Sequence, residues 1–390
     1  MTGFPQKIIN KMSRINISGI ILMILLSTKV NSQELNLNEK QFELVDNFGK
    51  RLDVIDFKNY KSILLNNEKK AILKNLKAQD FIVEFDVYGQ NMTFFGFRAK
   101  DSINSECVFF RLMSSNTYES IQYLPITNGS TPWRLYSKYQ ASCEYNDKDW
   151  NHIKIEVVNT HVKIYVNNSI TPNLHILHLK NTPERGDLYF NNSFGDSYIS
   201  NIRFQDWTNN TDKESDIQTY PKPTDKIFIS KWIISNAFEE PFLAERLYRK
   251  MKDTISQWHP IEAEEDGIVN LSKYFVHPLG TVFVRTYIYS KDETTRVLLF
   301  DYSYALGILL NKGIIFYGRE LDSKNMGRVE ADEESLTIEL KKGWNELVFA
   351  IKGDYETLQV LNIPNFQSMN WGFIARLNSY EGIEIKEKKE

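Results

Sequence analysis

Apolar and polar residues alternate with a period of two along most of the chain. Residues 81–88 alternate apolar with acidic residues over their second half, and residues 153–158 and 161–166 show the same alternation on either side of an Asn-Thr pair. A period of two places successive side chains on opposite faces of a strand, so these segments predict half-buried β-strands, the last two joined as a hairpin. Helical periodicity is nearly absent between residues 42 and 206, which predicts an all-β sandwich.

A second set of strands is predicted after a polar segment, residues 207–226, that contains Pro221 and Pro223 and is typical of a linker. Its segments are residues 282–289, 297–300, 308–310, 336–340, 346–350 and 372–375. At 390 residues the chain exceeds the usual length of one domain. We therefore expect two tandem β-sandwich (jelly-roll) domains, residues 33–206 and 227–385, with a solvated tail at residues 386–390.

The N-terminus has the pattern of a secretory signal peptide. Lys7, Lys11 and Arg14 precede an apolar run at residues 17–26, and a Val-Asn-Ser sequence ends at Ser32. A membrane span needs about 20 apolar residues, roughly twice this run, so a membrane anchor is the weaker alternative. Residues 1–32 therefore predict a secreted or periplasmic protein with no membrane span after signal removal.

Charge and cysteine content narrow the function further. The formal net charge is -3 and no block of Lys and Arg follows one face, so the basic surface of a nucleic-acid-binding protein is missing. The chain has two cysteines, Cys107 and Cys143. In an exported protein they could form one disulfide, which the sequence neither requires nor excludes.

The first predicted domain resembles the concanavalin A-like lectin/glucanase superfamily in its laminin-G-type form. The resemblance rests on a Trp that opens a strand, a facing hairpin strand, a segment containing Gly and a last strand. These are residues 150–155, 162–167, 185–190 and 199–203, strengthened upstream by residues 95–98, 109–111, 121–123 and 132–133. It covers about 160 residues and implies a β-sandwich fold, which hosts enzymes, lectins and spacers alike.

The second predicted domain is similar to the galactose-binding-like jelly-roll domains that accompany carbohydrate-active enzymes. The similarity rests on residues 267–271, 309–313 and 342–347, the last with the step Gly343, Asn345, Leu347 into a late strand. Trp344 follows a turn and is expected to be exposed, whereas Trp371 starts a strand and is expected to be buried.

Candidate ligand-binding residues fall within the motifs of the first resemblance. Sugar recognition needs an aromatic plate for the C–H face of the ring and planar side chains that form paired hydrogen bonds with hydroxyls. The candidates are Arg98, Arg111, Gln122, Tyr123, Trp133 and Arg134. In the alternative, Trp133 packs in the core and the two strand-end arginines neutralise Glu84 or Asp86.

Catalytic and metal-binding patterns are incomplete. The resemblance implies paired acids on one strand in the order E-x-D-x-x-E, but Gly89 stands where the second Glu would follow Glu84 and Asp86. The acidic runs 262–266 and 330–334 are solvated turns or, alternatively, loops that hold a structural calcium, because hard cations favour several oxygens. No cofactor is expected.

Together these observations favour a non-catalytic protein that binds polysaccharide or another glycan, or serves adhesion, outside the cytoplasm. A glycoside hydrolase or lyase with acids from different strands is one alternative. A structural interaction protein without a ligand is the other.

Overall fold

The computed structural model of the chain describes residues 32–45, 53–66, 70–192, 195–208, 227–238, 257–275, 280–319, 328–353 and 370–387. These residues form 26 β-strands and two 3-10 helices of three residues each. The all-β expectation is therefore confirmed, with two β-sandwiches. The predicted signal peptide up to residue 31 and the predicted linker from residue 209 lie outside the described residues. The domain boundaries and family assignments stay predictions.

Sheet 1 is an eight-stranded antiparallel sheet in the first half of the chain, and β6 lies at its centre. Its order is β13 (Leu174–Ile176), β12 (His161–Val166), β11 (Asn151–Val158), β6 (Phe81–Gly89), β15 (Asp196–Asp206), β4 (Tyr60–Asn66) and β3 (Asp53–Phe57), with β1 (Gln33–Glu34) beside β15.

Sheet 2 faces sheet 1 and completes the first sandwich. Its order is β10 (Gln140–Ala141), β9 (Ile121–Ile126), β8 (Ser105–Arg111), β7 (Met92–Ala99), β14 (Gly186–Asn192), β5 (Lys70–Ala78) and β2 (Phe42–Val45).

Sheets 3 and 4 form the second sandwich. Sheet 3 has the order β18 (Ile268–Asn270), β25 (Gly372–Leu377), β20 (Thr294–Tyr302) and β23 (Glu334–Leu340). Sheet 4 has the order β17 (His259–Glu262), β16 (Lys231–Ile234), β19 (Thr281–Ser290), β24 (Gly343–Lys352), β21 (Ala305–Leu310) and β22 (Gly313–Arg319), with β26 (Ile383–Lys386) beside β19. Lys386, assigned to the tail from sequence, is thus the last residue of β26.

Alternation along each strand decides which side chains enter a core. In β6, Phe85 and Val87 are fully buried between sheets 1 and 2, while Glu84 and Asp86 point to the opposite, outer face. In the second sandwich Trp371 and Phe373 are fully buried, as the sequence predicts for Trp371. Burying a side chain of this size stabilises the fold by about 1.5–3 kcal/mol before the entropy cost.

The two sandwiches pack together through the outer faces of sheets 2 and 3. Phe94 and Phe109 on sheet 2 join Ile268 and Ile374 on sheet 3 in one buried apolar cluster, with Leu135 from the β9–β10 connection between them. Gly372 lies at this contact, where a Cβ would lie 2.5 Å from the Val269 carbonyl oxygen and 2.7 Å from the Leu135 side chain. The four sheets therefore stack in the order 1, 2, 3, 4, and the outer faces of sheets 1 and 4 are the two ends of the stack.

Candidate functional site

The structure does not bring the six sequence-predicted ligand residues together. Arg98 is 6% exposed, and its Nη2 lies 3.1 Å from Oδ1 of the buried Asp80. Tyr123 lies in the core between sheets 1 and 2, where its hydroxyl donates to Oε2 of Glu106 at 2.8 Å. Both side chains thus bind other parts of the first sandwich.

The other four lie where the two sandwiches meet. Arg111 Nη2 donates to Oε1 of Gln122 at 2.5 Å, and Gln122 Nε2 donates to the carbonyl of Trp133 at 2.7 Å. The Arg134 guanidinium lies 5.2 Å from the ring centroid of Trp133, and its backbone N–H donates to Oδ1 of Asn370 in the second sandwich. A ligand role for the six residues stays a prediction, whereas the contacts seen here are protein contacts.

Cys107 and Cys143 are both free thiols, so the disulfide that the sequence neither requires nor excludes is not formed. Cys107 lies in the cluster between sheets 2 and 3, whereas Cys143 lies in the core of the first sandwich. The two side chains therefore belong to different cores, and burial raises the pKa of the Cys143 thiol to about 11.

The acidic run 262–266 is not a solvated turn. Glu264 and Asp266 are buried against Lys180 of the first sandwich, whose Nζ lies 3.2 Å from a carboxylate oxygen of each. Lys138 Nζ lies 2.9 Å from Asp266, and Lys273 Nζ lies 2.8 Å from Glu264. We call these five residues the charge cluster.

Two tyrosines complete the charge cluster's hydrogen bonds. The Tyr136 hydroxyl donates to Oε1 of Glu264 at 2.6 Å, and the Tyr139 hydroxyl donates to Oδ2 of Asp266 at 2.7 Å. Both tyrosines belong to the first sandwich and both carboxylates to the second. Sequence alone could not reveal this arrangement, because Lys180 and Asp266 are 86 residues apart in the chain.

Among the residues that the structure describes, no three His, Cys, Asp or Glu side chains are placed to hold a metal ion. Three histidines do lie near one another but are not placed to hold a metal ion: the His161 ring centroid lies 5.9 Å from that of His175 and 6.5 Å from that of His178. In the run 330–334, Asp332 is held by Arg376, with both N–O distances at 2.5 Å. A structural calcium stays a prediction.

Five aromatic side chains gather on the outer face of sheet 1, at the end where β3, β4, β6, β11 and β15 meet. We call them the first platform: Phe57, Tyr60, Tyr88, Trp150 and Tyr198. Phe57 and Tyr198 are stacked with centroids 3.8 Å apart, and Trp150 packs edge-on to Tyr60 at 5.4 Å and to Tyr88 at 5.9 Å. All five are partly exposed, and Tyr60 is 41% exposed. They form a partly open apolar surface that extends from the start of β11 across β6 and β15 to the β3–β4 hairpin.

Local backbone chemistry assembles the first platform. Lys58 and Asn59 both have positive φ, 44° and 68°, which a two-residue hairpin turn of type I′ requires and which Asn accepts readily. This turn sets Phe57 directly opposite Tyr60. The register of β15 on β6 sets Tyr198 directly opposite Tyr88.

A polar group borders the first platform on the same face. His152 Nδ1 lies 2.8 Å from Oδ1 of Asp86, and its Nε2 lies 3.8 Å from Oε2 of Glu84. Asn201 Nδ2 donates to Oδ2 of Asp86 at 2.6 Å. Asn201 reaches Asp86 because β15 carries a one-residue bulge after Ser200, and such a bulge redirects a side chain.

We predict that the pKa of His152 depends on Asp86. The hydrogen bond that His152 donates to Asp86 raises this pKa above its usual value, against an opposing effect of burial, and the charges of Asp86 and Glu84 act in the same direction as the hydrogen bond. The contribution to stability is therefore fully present below pH ~6.5, the ordinary histidine pKa, and is lost as the pH rises through the raised value.

Asp86→Asn should accordingly lower the pKa of His152, which can be followed from the imidazole proton resonances in a pH titration. Asp292→Asn is the control, since Asp292 is an exposed carboxylate (84%) in the second sandwich. An unchanged His152 pKa in Asp86→Asn would show that the hydrogen bond is not formed in solution.

The sequence contained a signal for this site that the motif-based prediction missed. Tyr88 lies in phase with Glu84 and Asp86 along β6, and Trp150, directly before β11, is two residues from His152 and in phase with it. Aromatic residues on the polar face of an alternating strand point to solvent rather than to the core.

No protein-family model matches the sequence, and neither does any curated protein. Solved structures that match part of the chain include the carbohydrate-binding module CBM66 from Bacillus subtilis, at 15% identity and a TM-score of 0.32, covering 42% of this chain and 95% of that one. Domain 4 of the extracellular arabinanase AbnA from Geobacillus stearothermophilus, in complex with arabinotriose, is 18% identical at a TM-score of 0.29, covering 42% and 82%.

The exoplasmic/lumenal domain of VIP36 with bound Ca²⁺ and Man3GlcNAc is 8% identical at a TM-score of 0.31, covering 43% of this chain and 83% of that one. Within the described ranges, no helix has the length and apolar character to cross a membrane.

Proposed function

We propose that the protein binds a neutral polysaccharide on the outer face of sheet 1 and acts, after export, as a non-catalytic carbohydrate-binding protein. The observation that carries this proposal is the first platform together with its polar border. An apolar plate beside fixed hydrogen-bonding groups fits a sugar ring, whose C–H face packs on aromatic rings while its hydroxyls form hydrogen bonds.

The polar border supplies hydrogen-bond acceptors for the sugar hydroxyls and the side chains that hold one of these acceptors in place. Carboxylate oxygens of Asp86 and Glu84 accept hydrogen bonds from hydroxyls, and His152 and Asn201 hold Asp86 in place. Because Asp86 already has both partners, its orientation is set before a ligand arrives, which reduces the entropy cost of binding. Lys154 and Arg203 lie directly opposite Glu84 on the neighbouring strands, so acidic and basic groups are mixed on this face and no single charge dominates. This mixture favours a neutral glycan over a strongly charged one.

The outer face of sheet 2 is less suited to this role. Phe94, Phe109 and Cys107 on that face are at most 7% exposed, because the second sandwich and the β9–β10 connection cover them. The second sandwich does not cover the outer face of sheet 1. Export of the protein rests on the signal-like residues 1–32, and secretion is part of this proposal.

The proposal predicts that Asp86 contributes to binding. We expect the wild type to be retarded in a native gel containing at least one of β-glucan, xylan, arabinan, mannan or galactan, and Asp86→Ala to be retarded less. Glu184→Ala should migrate as the wild type does, since this exposed carboxylate (53%) lies in the β13–β14 connection, outside the first platform and its polar border. Equal retardation of Asp86→Ala and wild type in every gel would remove Asp86 from the site. Release of reducing sugar would instead support the enzymatic alternative.

A further inference from the structure

The outer face of sheet 4, at the opposite end of the stack, carries a second group of aromatic side chains. Tyr287 and Tyr289 point outward from β19, and Trp344 lies directly opposite Tyr289 on β24. The rings of Tyr289 and Trp344 pack edge to face with centroids 5.1 Å apart. All three side chains are partly exposed. We call Tyr287, Tyr289 and Trp344 the second platform.

Fixed polar groups border the second platform as they border the first. Arg285 Nη1 donates to Oε1 of Glu346 at 3.1 Å, and the Tyr287 hydroxyl lies 3.4 Å from the same oxygen. Arg285 is also held over the Trp258 ring, with its guanidinium carbon 4.0 Å from the centroid. The pair is therefore oriented in advance, with side chains 18% and 19% exposed.

The charges nearest to the second platform balance, which indicates the kind of ligand. Lys386 Nζ lies 3.3 Å from Oε1 of Glu384 and 5.7 Å from the centroid of Trp344. Together with Arg285 and Glu346, this gives two cations and two carboxylates around the rings. An aromatic surface with balanced, paired charges fits a neutral polyhydroxylated chain better than an acidic or basic partner.

The length of the second platform fits an extended ligand. Residues 285, 287 and 289 follow one face of β19, and two residues of strand advance about 6.8 Å, so the row from Arg285 to Tyr289 covers about 14 Å. A polysaccharide chain can contact Tyr287, Tyr289 and Trp344 along this row, and the row ends at Arg285, because Trp258 covers Arg285 and packs with Phe238 against the buried Phe283.

We propose that the second platform is a second glycan-binding site and that the protein bridges two separate polysaccharide chains. This inference rests on the proposed function of the first platform. Stacked sheets lie about 10 Å apart, so the outer faces of sheets 1 and 4 are separated by at least about 30 Å and point in opposite directions. One chain cannot follow both faces without wrapping around the stack. The charge cluster and the apolar contact between sheets 2 and 3 hold the two platforms in this fixed arrangement.

A bridging assay tests the proposal. Beads carrying one of the five polysaccharides are saturated with protein and washed, and the same polysaccharide with a fluorescent label is then added. We expect the wild type to retain the label. Trp344→Ala and, as a second variant, Tyr289→Ala should still bind the beads while retaining less than a tenth of the label. Tyr317→Ala, an exposed aromatic (45%) on β22 outside the second platform, should behave as the wild type.

The outcomes separate the two proposals. Wild-type retention of the label by both Trp344→Ala and Tyr289→Ala, with thermal unfolding unchanged, overturns the second site. Complete loss of bead binding in a first-platform variant, Trp150→Ala with Tyr198→Ala, also overturns the second site and leaves the proposed function standing. If that variant both binds beads and bridges as the wild type does, the proposed function fails and the two-platform bridge fails with it.

Discussion

Lys180→Met is expected to lower the free energy of unfolding by about 3 kcal/mol, toward the lower end of the range for removing one partner of a buried ion pair. The Lys180 side chain is 5% exposed, and Glu264 and Asp266 are 8% and 3% exposed. Removing the ammonium leaves two buried carboxylates with Lys273 and Lys138 as their remaining cations. Methionine retains most of the apolar volume, so the loss reports mainly the charge.

Chemical denaturation followed by tryptophan fluorescence measures this effect, and limited proteolysis shows whether the sandwiches separate. Lys342→Met is the matched control, because Lys342 and Asp292 form an ion pair with side chains 75% and 84% exposed. Pairs this exposed contribute little, so the control should unfold as the wild type does. Identical unfolding of Lys180→Met and Lys342→Met would show that the charge cluster does not hold the sandwiches together.

The charge cluster also predicts a window of pH stability. Burial alone would raise the pKa of Asp266, but Lys180 and Lys138 outweigh it and hold the pKa below its usual value. Burial alone would lower the pKa of Lys180, but Glu264 and Asp266 raise it above its usual value. The Asp266 contribution is present above pH ~4 and is lost as the pH falls through the lowered pKa. The Lys180 contribution is present below pH ~10 and is lost as the pH rises through the raised pKa.

The largest expected effect on binding follows from removing two rings of the first platform, Trp150→Ala with Tyr198→Ala. This pair is best compared in a Trp344→Ala background, so that binding at the second platform does not mask the loss. Aromatic anchors contribute about 2 kcal/mol each, which corresponds to roughly a 30-fold loss of affinity per ring and several hundred-fold for independent rings. Affinity electrophoresis over a range of polysaccharide concentrations gives the dissociation constants.

Tyr317→Ala in the same background serves as the control for loss of an exposed aromatic. The Trp150 and Tyr198 side chains are both partly exposed, so replacing them with alanine should leave the unfolding transition cooperative. An affinity within threefold of the Trp344→Ala background, in a folded protein, would be incompatible with binding at the first platform.

The fold could be predicted from sequence because each strand carries its own alternation. Residues 161–166 predict a strand, and β12 (His161–Val166) has these bounds. The predicted strand 282–289 lies within β19 (Thr281–Ser290). A period-two pattern is local, so it predicts a strand even when the strands that pair with it are unknown.

The site could not be predicted in the same way, because it depends on register between strands. Phe57, Tyr88 and Tyr198 come from three segments far apart in sequence, and only the pairing of β15 on β6 sets Tyr88 opposite Tyr198. The ligand residues predicted from the motifs were not found in one open site for a different reason. Arg111 and Gln122 lie on a face that the second sandwich covers, and a contact between domains leaves no periodic trace in either one.

Hydrogen exchange of backbone amides, measured with and without an oligosaccharide of the polysaccharide that retards the wild type, shows which strands the glycan contacts. Binding at the first platform predicts slower exchange in the β3–β4 hairpin around Phe57 and Tyr60, at the end of β6 and at the start of β11. Protection confined to the contact between sheets 2 and 3, with none in these three segments, would be incompatible with glycan binding at the first platform.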